Sequence, residues 1–350
     1  MEKIISYKDL PYSKGQSIYL RMETDPKLFI SLISKGYKII KNIKEANNDT
    51  IYVTGRRQDY VCSNNDEYMK LIDNGIQESL KDNGISKPNT INFSYKDLIE
   101  HKYKLPFVLK NENQNGGREK FLINTEEDYD NLINSIKLLI NKKLLFLTAD
   151  DLDSLKCKID YDKYLDTNFK IQEYIDTPTE FNTTVRLITT PSNDLLYSVL
   201  KYKEKDKYID DTTLLGYLLS KVYPLSTKSI VSNTLSGGKN ILLNEDKYTS
   251  LEEEILEEHN INSTRFNDLV KASKFVHNKY KSELGIICGF DYIYDRNKKK
   301  WFLLEYHSRP MLGDYSKRQD LMYSSEEERL EAEGRVRATA LSLVLKKTNY

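Results

Sequence analysis

Strand-forming runs come in groups along this chain, with helical segments between the groups, instead of alternating one by one with helices. The run KLPFVLKNENQNGGREKFLI has two short apolar stretches around a polar, glycine-containing connector, which is the pattern of a hairpin. Further groups follow in EFNTTVRLITTPSNDLLYSVLKYK and in GIICGFDYIYDRNKKKWFLLEYHSRP. Regular βαβ alternation favours a parallel sheet, so grouped strands predict an α+β or mixed α/β fold with mainly antiparallel sheets.

Helical patterns and chain breaks predict three consecutive domains. The run LFISLISKGYKII has helical apolar spacing that ends at Gly36, and the strand-like TIYVTG follows it, so residues 1–88 predict a small N-terminal α/β domain. Its boundary lies in NGISKPNT, where glycine and proline break the pattern. Residues 89–170 are the central subdomain, in which Thr125 caps a helix with acids in its first turn. Residues 171–350 are the C-terminal subdomain.

The charge balance of the chain excludes some partners. Its 350 residues include 53 Lys plus Arg and 53 Asp plus Glu, so no bulk positive charge attracts nucleic acid or an anionic membrane. No apolar stretch approaches the roughly 18 to 20 residues of a membrane span. Three widely separated cysteines indicate neither a disulfide framework nor a thiolate zinc site. We therefore expect a cytoplasmic protein, and a homodimer is common for soluble enzymes of this size.

Two carboxylates near the C-terminus predict a metal site. If Ile293 pairs with Leu303 across the charged turn of the last hairpin, Asp291 lies opposite Glu305 on the same face. Two like charges at that distance are unfavourable unless a cation lies between them, and oxygen ligands suit Mg²⁺. By strand period His307 points to the same face. The alternative is a surface hairpin with solvated acids.

A second group of residues has the chemistry of a phosphate site. Lys110 ends an apolar strand, and the following Gly116 and Gly117 lie in a turn whose amides can surround phosphate oxygens. The alternative for this segment is an ordinary hairpin, since glycine suits tight turns. Further along, the strand end IQEYI offers backbone donors and acceptors, and Glu180 is placed to accept ribose hydroxyls. The alternative for Glu173 and Glu180 is that each acid is simply solvated.

The order of these segments resembles the ATP-grasp superfamily. The first of these segments is a strand that ends in a lysine and is followed by a glycine loop. The segment QEYI, an acid and a strand with an arginine come next. The motifs SN-x-x-x-GG, G-x-D and LLE-x-x-x-RP follow, so that the resemblance covers about residues 90 to 320. The most similar patterns are those of ribosomal-protein glutamate ligases and their relatives. This resemblance implies a fold in which two subdomains enclose ATP. It also implies a Mg²⁺-dependent ligase that joins a carboxylate to an amine through an acyl phosphate and releases ADP and phosphate.

The resemblance also implies roles for particular residues. Those matched to the nucleotide are Lys110, Gly116, Gly117, Gln172, Glu173, Tyr174, Ile175, Glu180 and Asn233, with adenine at 173–175 and ribose at Glu180. Those matched to the reacting groups are Lys110, Arg186 and Arg309. The metal ligands are Asp291, Glu305 and His307.

One metal ligand departs from the family pattern, because His307 stands where the family has Asn. Imidazole suits Mg²⁺ less well than an amide oxygen and suits Mn²⁺ better, so either Mn²⁺ is the ion or His307 hydrogen-bonds a carboxylate ligand. Lys96 and Lys104 are both candidates for the family's upstream phosphate lysine. The acid and the amine are small molecules or peptides. The alternatives are an ATP-grasp kinase and a non-catalytic nucleotide- or peptide-binding module.

Overall fold

The computed structural model describes most of the chain. The described residues are 3–20, 25–47, 49–53, 66–100, 102–111, 119–141, 169–177, 180–205, 213–226, 230, 238–243, 247–308, 310, 312 and 325–347. None of the helices within these residues combines the length and apolar character needed to cross a membrane.

The described residues form twelve strands and nine α-helices. The strands are β1 (Ser17–Tyr19), β2 (Lys38–Ile40), β3 (Ile51–Tyr52), β4 (Thr90–Phe93), β5 (Phe107–Asn111), β6 (Lys120–Ile123), β7 (Phe169–Glu173), β8 (Phe181–Thr189), β9 (Leu195–Glu204), β10 (Lys239–Leu242), β11 (Cys288–Asp295) and β12 (Lys300–His307). The α-helices are α1 (Pro26–Ser34), α2 (Asp66–Lys81), α3 (Tyr95–Glu100), α4 (Glu126–Ile140), α5 (Leu214–Tyr217), α6 (Ser250–Glu258), α7 (Thr264–Lys279), α8 (Lys281–Leu284) and α9 (Glu326–Lys347).

These elements belong to two compact units. The first unit consists of Met1–Lys87, Thr184–Lys201 and Lys239–Tyr350, and the second consists of Pro88–Thr183 and Tyr202–Gly238. The division into three consecutive domains made from the sequence stays a prediction.

The strands within the described part of the chain form three sheets. One has three strands in the order β2-β1-β3 and is parallel, one has five strands in the order β10-β9-β8-β11-β12, and one has four strands in the order β4-β7-β5-β6. In the five-stranded sheet, β11 runs antiparallel to both β8 and β12. In the four-stranded sheet, β7 runs antiparallel to β4 and β5, and β5 runs antiparallel to β6. The predicted α+β class with mainly antiparallel sheets is confirmed.

Local sequence explains where several helices begin. Asp25 accepts a hydrogen bond from the backbone N–H of Lys27 at the start of α1, whose first residue is a proline. Thr125 caps α4 as predicted, in a capping box in which the carboxylate of Asp128 accepts from the backbone N–H of Thr125. After α1 the chain turns at Gly36, where φ is +82°, a conformation that favours glycine.

Each unit has its own apolar core. In the first unit, α1, α9 and parts of β8 and β9 contribute buried side chains such as Leu28, Ile188 and Val336. In the second unit, one face of the four-stranded sheet packs on α3, α4 and α5, with Phe107, Leu132 and Leu215 among the buried side chains. By strand alternation the other face of the four-stranded sheet carries Lys110, Lys120, Lys170 and Gln172 together with the buried Val108 and Leu122.

Buried His277 makes the stability of the first unit depend on pH. Its Nε2–H donates to the carbonyl of Gly285 and its Nδ1 accepts from the Thr189 hydroxyl, both at 2.8 Å, so the neutral ring is fully satisfied. Burial lowers the pKa of His277 from 6.5 to about 4. Between those values only the unfolded chain takes up the proton, so stability falls as pH falls from about 6.5 to about 4, by up to roughly 3 kcal/mol. Urea unfolding at several pH values measures this slope.

The control for this prediction is His277→Gln, in which the part of the slope due to the imidazole disappears. If that variant does not fold, the ring protons of His277 in the native protein are followed by NMR instead. An unchanged pH dependence in the variant, or a ring that protonates near pH 6.5 in the folded protein, contradicts the prediction.

Candidate metal centre and phosphate-binding residues

The hairpin of β11 and β12 brings the two predicted carboxylates together. Asp291 lies directly opposite Glu305, as the sequence pattern predicted. The turn is stabilised by Asp295, whose Oδ1 accepts from the backbone N–H of Lys298 at 2.8 Å. Both acids therefore lie on one face of the hairpin, next to each other.

The predicted pairing of Ile293 with Leu303 is wrong. Ile293 pairs with Phe302 and Tyr292 with Leu303, because a β-bulge after Asp291 leaves one extra residue, Leu304, on β12. Because of this extra residue, the side chains of β12 between the bulge and the turn point to the face opposite to the one that regular alternation would give. Leu303, which is 1% exposed, thereby joins the face of Tyr292, while Glu305 stays on the face of Asp291.

Asp291, Glu305 and His307 form a candidate metal centre. Their ligand atoms all lie within 4.8 Å of one another. Nε2 of His307 lies 3.2 Å from Oε1 of Glu305 and 4.0 Å from Oδ2 of Asp291. Octahedral ligands at about 2.1 Å from Mg²⁺ are about 3 Å apart when adjacent and about 4 Å apart when opposite. The two distances from His307 thus fall in the range expected for ligand atoms around one divalent ion.

Arg186 is the fourth member of this cluster. It lies on β8 directly opposite Asp291 on β11. Its Nε and one terminal nitrogen donate to the two carboxylate oxygens of Asp291, both at 2.6 Å, and both side chains are 11% exposed. This bidentate ion pair neutralises one of the two adjacent acids. The predicted role of Arg186 toward reacting groups stays a prediction, and its contact with Asp291 was not foreseen.

The protonation of His307 reflects the charge around it. Burial disfavours the charged imidazolium, but the hydrogen bond to Glu305 and the charges of Glu305 and Asp291 outweigh burial and raise the pKa of His307 above its ordinary value. The two carboxylates therefore favour the protonated form of His307.

Lys110 lies in the second unit, on β5. Its ammonium donates to Oε1 of Gln172 on β7, and Nε2 of Gln172 donates to the Thr90 hydroxyl on β4 at 3.3 Å. Gln172 is 6% exposed. The side chain of Gln172 thus helps to position Lys110, and the placement of Gln172 beside the nucleotide stays a prediction.

The predicted adenine segment follows β7. The backbone N–H of Glu173 donates to the carbonyl of Asn89 at 2.8 Å. The Tyr174 hydroxyl donates to Asp176 at 3.2 Å, and burial together with that carboxylate raises the pKa of Tyr174. Ile175 is 4% exposed. Glu180 is exposed, and its carbonyl accepts from the backbone of Lys205 at 2.9 Å.

Four predicted site residues lie outside the described residues. They are Gly116, Gly117, Asn233 and Arg309. Of the two candidates for the upstream lysine, Lys104 is exposed, and the side chain of Lys96 is likewise outside the described part of the chain. All of these assignments stay predictions.

Gly289 limits the space beside the candidate metal centre. It lies opposite His307, and a Cβ added there would lie 2.8 Å from Cβ of Pro310 and 3.2 Å from Cδ1 of Ile188. Gly289→Ala is therefore expected to destabilise the first unit by about 1 to 3 kcal/mol, as overpacking does. Thermal unfolding measures the loss.

The matched control is Gly289→Ala combined with Pro310→Gly, which removes the atom nearest the added methyl group. The double variant should be less destabilised than the sum of its parts. A Gly289→Ala protein with an unchanged melting temperature contradicts the close approach.

No protein-family model matches this sequence, and no curated protein matches it. Several solved structures are similar. An L-amino acid ligase from Bacillus licheniformis is 11% identical with a TM-score of 0.38, over 85% of this chain and 68% of that one. A D-alanine–D-alanine ligase from Bacillus anthracis is 11% identical with a TM-score of 0.42, over 95% and 97%. The ATP-grasp ligase PsnB, solved with a minimal precursor, is 8% identical with a TM-score of 0.36, over 94% and 78%. These remote matches assign no role to any residue of this chain.

Proposed function

We propose that this protein is an ATP-dependent carboxylate–amine ligase of the ATP-grasp type. The observation that carries the proposal is the cluster of Asp291, Glu305 and His307, with Arg186 paired to Asp291. A hairpin with solvated acids has no need of a third ligand and a buried arginine at the same place. The order of sequence motifs around this cluster supports the same reading.

In this proposal Asp291, Glu305 and His307 hold Mg²⁺ or Mn²⁺, which when bound supplies positive charge to the triphosphate oxygens. Lys110 neutralises charge on the phosphates, and Arg186 stabilises charge on the transferring phosphoryl group. Because the imidazole of His307 suits Mn²⁺ better than Mg²⁺, ATP turnover should be measured with both ions.

The other predicted residues bind and orient the substrates. The backbone of residues 173–175 hydrogen-bonds adenine, and Gln172 lies beside the adenine. Glu180 accepts hydrogen bonds from the ribose hydroxyls. Arg309 contacts the acid substrate. The segments with Gly116, Gly117 and Asn233 exclude water from the reacting groups.

The proposed reaction has two steps. An oxygen of the substrate carboxylate attacks the γ-phosphorus and ADP leaves, which gives an acyl phosphate. The amine nitrogen then attacks the acyl carbon, phosphate leaves, and the nitrogen loses a proton. The acid and the amine are small molecules or peptides, and no nucleophilic side chain of the protein forms a covalent intermediate.

A non-catalytic nucleotide-binding module is the second candidate, and His307, which stands where the family pattern has Asn, favours it. Tight ATP binding without metal-dependent turnover would support this candidate over the ligase.

The test is ADP release from ATP by the purified full chain, with Mg²⁺ or Mn²⁺ and fractionated pools of acids and amines, followed by mass identification of the consumed acid. With ¹⁸O in the substrate carboxylate, the ligase reaction places one label in the released phosphate. Release of AMP indicates adenylation instead, and phosphate retained on the organic product indicates a kinase. A reaction with EDTA is the control.

A further inference from the structure

Three charged side chains form one row across the five-stranded sheet. Arg186 on β8 lies directly opposite Asp291 on β11, and Asp291 lies directly opposite Glu305 on β12. Directly paired side chains of neighbouring strands point to the same face of a sheet. Asp291 therefore has a cation on one side and a second carboxylate on the other.

This row has a buried end and an open end. The side chains of Arg186 and Asp291 are both 11% exposed, whereas those of Glu305 and His307 are 46% and 39% exposed. A divalent ion from solvent therefore reaches the metal centre from the side of Glu305 and His307. There it meets an Asp291 whose carboxylate is already paired with the guanidinium.

The guanidinium and an ion require the same atom of Asp291. Oδ2 accepts from a terminal nitrogen of Arg186 at 2.6 Å, and the same Oδ2 lies 4.0 Å from Nε2 of His307. A ligand oxygen lies about 2.1 Å from Mg²⁺, so an ion held by Oδ2 is at most about 5 Å from that guanidinium nitrogen. Two cations at this distance repel each other strongly in a partly buried site.

The formal charges of the four side chains lead to the same conclusion. With a neutral imidazole, Asp291 and Glu305 supply two negative charges, which match the charge of one divalent ion. The buried guanidinium of Arg186 cancels one of them, so the four side chains together offer the ion a net charge of only −1. The ion is therefore bound less tightly than two carboxylates and an imidazole alone would bind it.

We infer that Arg186 and the metal ion compete for Asp291, so that the guanidinium holds down the metal affinity of the free protein. This inference rests on the metal centre of the proposed function and goes beyond that function, which assigns Arg186 only to the transferring phosphoryl group. When Asp291 holds an ion, the pair with Arg186 loosens. The donors of the guanidinium then become available to an anionic substrate.

The experiment is Mn²⁺ binding to the full-length protein without nucleotide, followed by electron paramagnetic resonance. Arg186→Gln removes the charge and keeps an amide that can donate to Asp291, so it should lower Kd for Mn²⁺ at least about tenfold. Arg186→Lys keeps the charge and should leave Kd within about threefold of the native value. Arg296→Gln is the matched control: it removes the same charge from the turn of the same hairpin, roughly 16 Å from Asp291, and should leave Kd unchanged.

A second measurement uses the native protein and decides the question if Arg186→Gln does not fold. The side-chain Nε–H of Arg186 is identified as the NMR signal that Arg186→Lys loses. It should exchange faster with water when Mg²⁺ saturates the protein, because the pair with Asp291 loosens. An exchange rate that Mg²⁺ leaves unchanged contradicts the competition.

The direction of the change in Kd separates competition from positioning. If Arg186 only positions Asp291 for the ion, Arg186→Gln weakens Mn²⁺ binding. Weaker or unchanged binding in this variant overturns the competition and leaves the metal centre and the ligase proposal in place. Absence of Mn²⁺ binding in both proteins overturns the inference and the metal centre together. Tighter binding in the variant, with no acid or amine ever consumed, supports the competition and contradicts the ligase proposal.

Discussion

Replacing Glu305 by Gln is expected to lower metal-dependent ATP turnover at least about 100-fold, with the thermal transition nearly unchanged in the absence of nucleotide. The side chain of Glu305 is 46% exposed, so its charge contributes little to folding. In the proposed site the same carboxylate is one of two anionic ligands, and an amide keeps the shape but loses the charge. Loss of one electrostatic contact to a transition state typically costs about 100- to 1,000-fold in rate.

Two measurements accompany the rate. Mn²⁺ binding, followed by electron paramagnetic resonance without any substrate, should weaken in Glu305→Gln, which separates loss of the ion from loss of chemistry. Glu257→Gln, an exposed glutamate on α6, is the control and should behave like the native protein. An unaltered rate and unaltered Mn²⁺ binding would remove Glu305 from the metal site.

The metal hairpin shows what local pattern can predict. Asp291 and Glu305 were placed opposite each other by extending an assumed pairing of Ile293 with Leu303 across the single turn that joins their strands. The pairing near the turn is in fact shifted by one residue, and the bulge at Leu304, which the sequence pattern does not indicate, brings Asp291 opposite Glu305. The predicted pairing of Asp291 with Glu305 was correct although the predicted pairing nearer the turn was not.

Contacts between distant strands could not be read from the sequence. The bidentate pair of Arg186 with Asp291 joins residues 105 positions apart. The pairing of β5 with β7 likewise joins strands that are separated in the chain by α4. The pairing of β5 with β6 was within reach, since the sequence predicts one hairpin there.

Because Asp291 is buried, its replacement is expected to have a different effect from the replacement of Glu305. Asp291→Asn should lower the free energy of unfolding by about 3 kcal/mol, because it removes the charged carboxylate to which the buried guanidinium of Arg186 donates two hydrogen bonds. Both side chains are only 11% exposed, so water does not replace the lost carboxylate. Mn²⁺ binding should also be lost. Urea unfolding of the metal-free protein measures the first effect, and electron paramagnetic resonance measures the second.

A double-mutant cycle isolates the ion pair from other effects at Asp291. Replacing both partners with apolar residues, Arg186→Met and Asp291→Leu, should destabilise the protein less than the sum of the two single changes, since neither charge is then left unpaired. Additive losses would mean that the pair contributes nothing to folding. Since Asp291→Asn affects both stability and metal binding whereas Glu305→Gln affects metal binding alone, the two variants together separate the structural carboxylate of this cluster from the one kept for the ion.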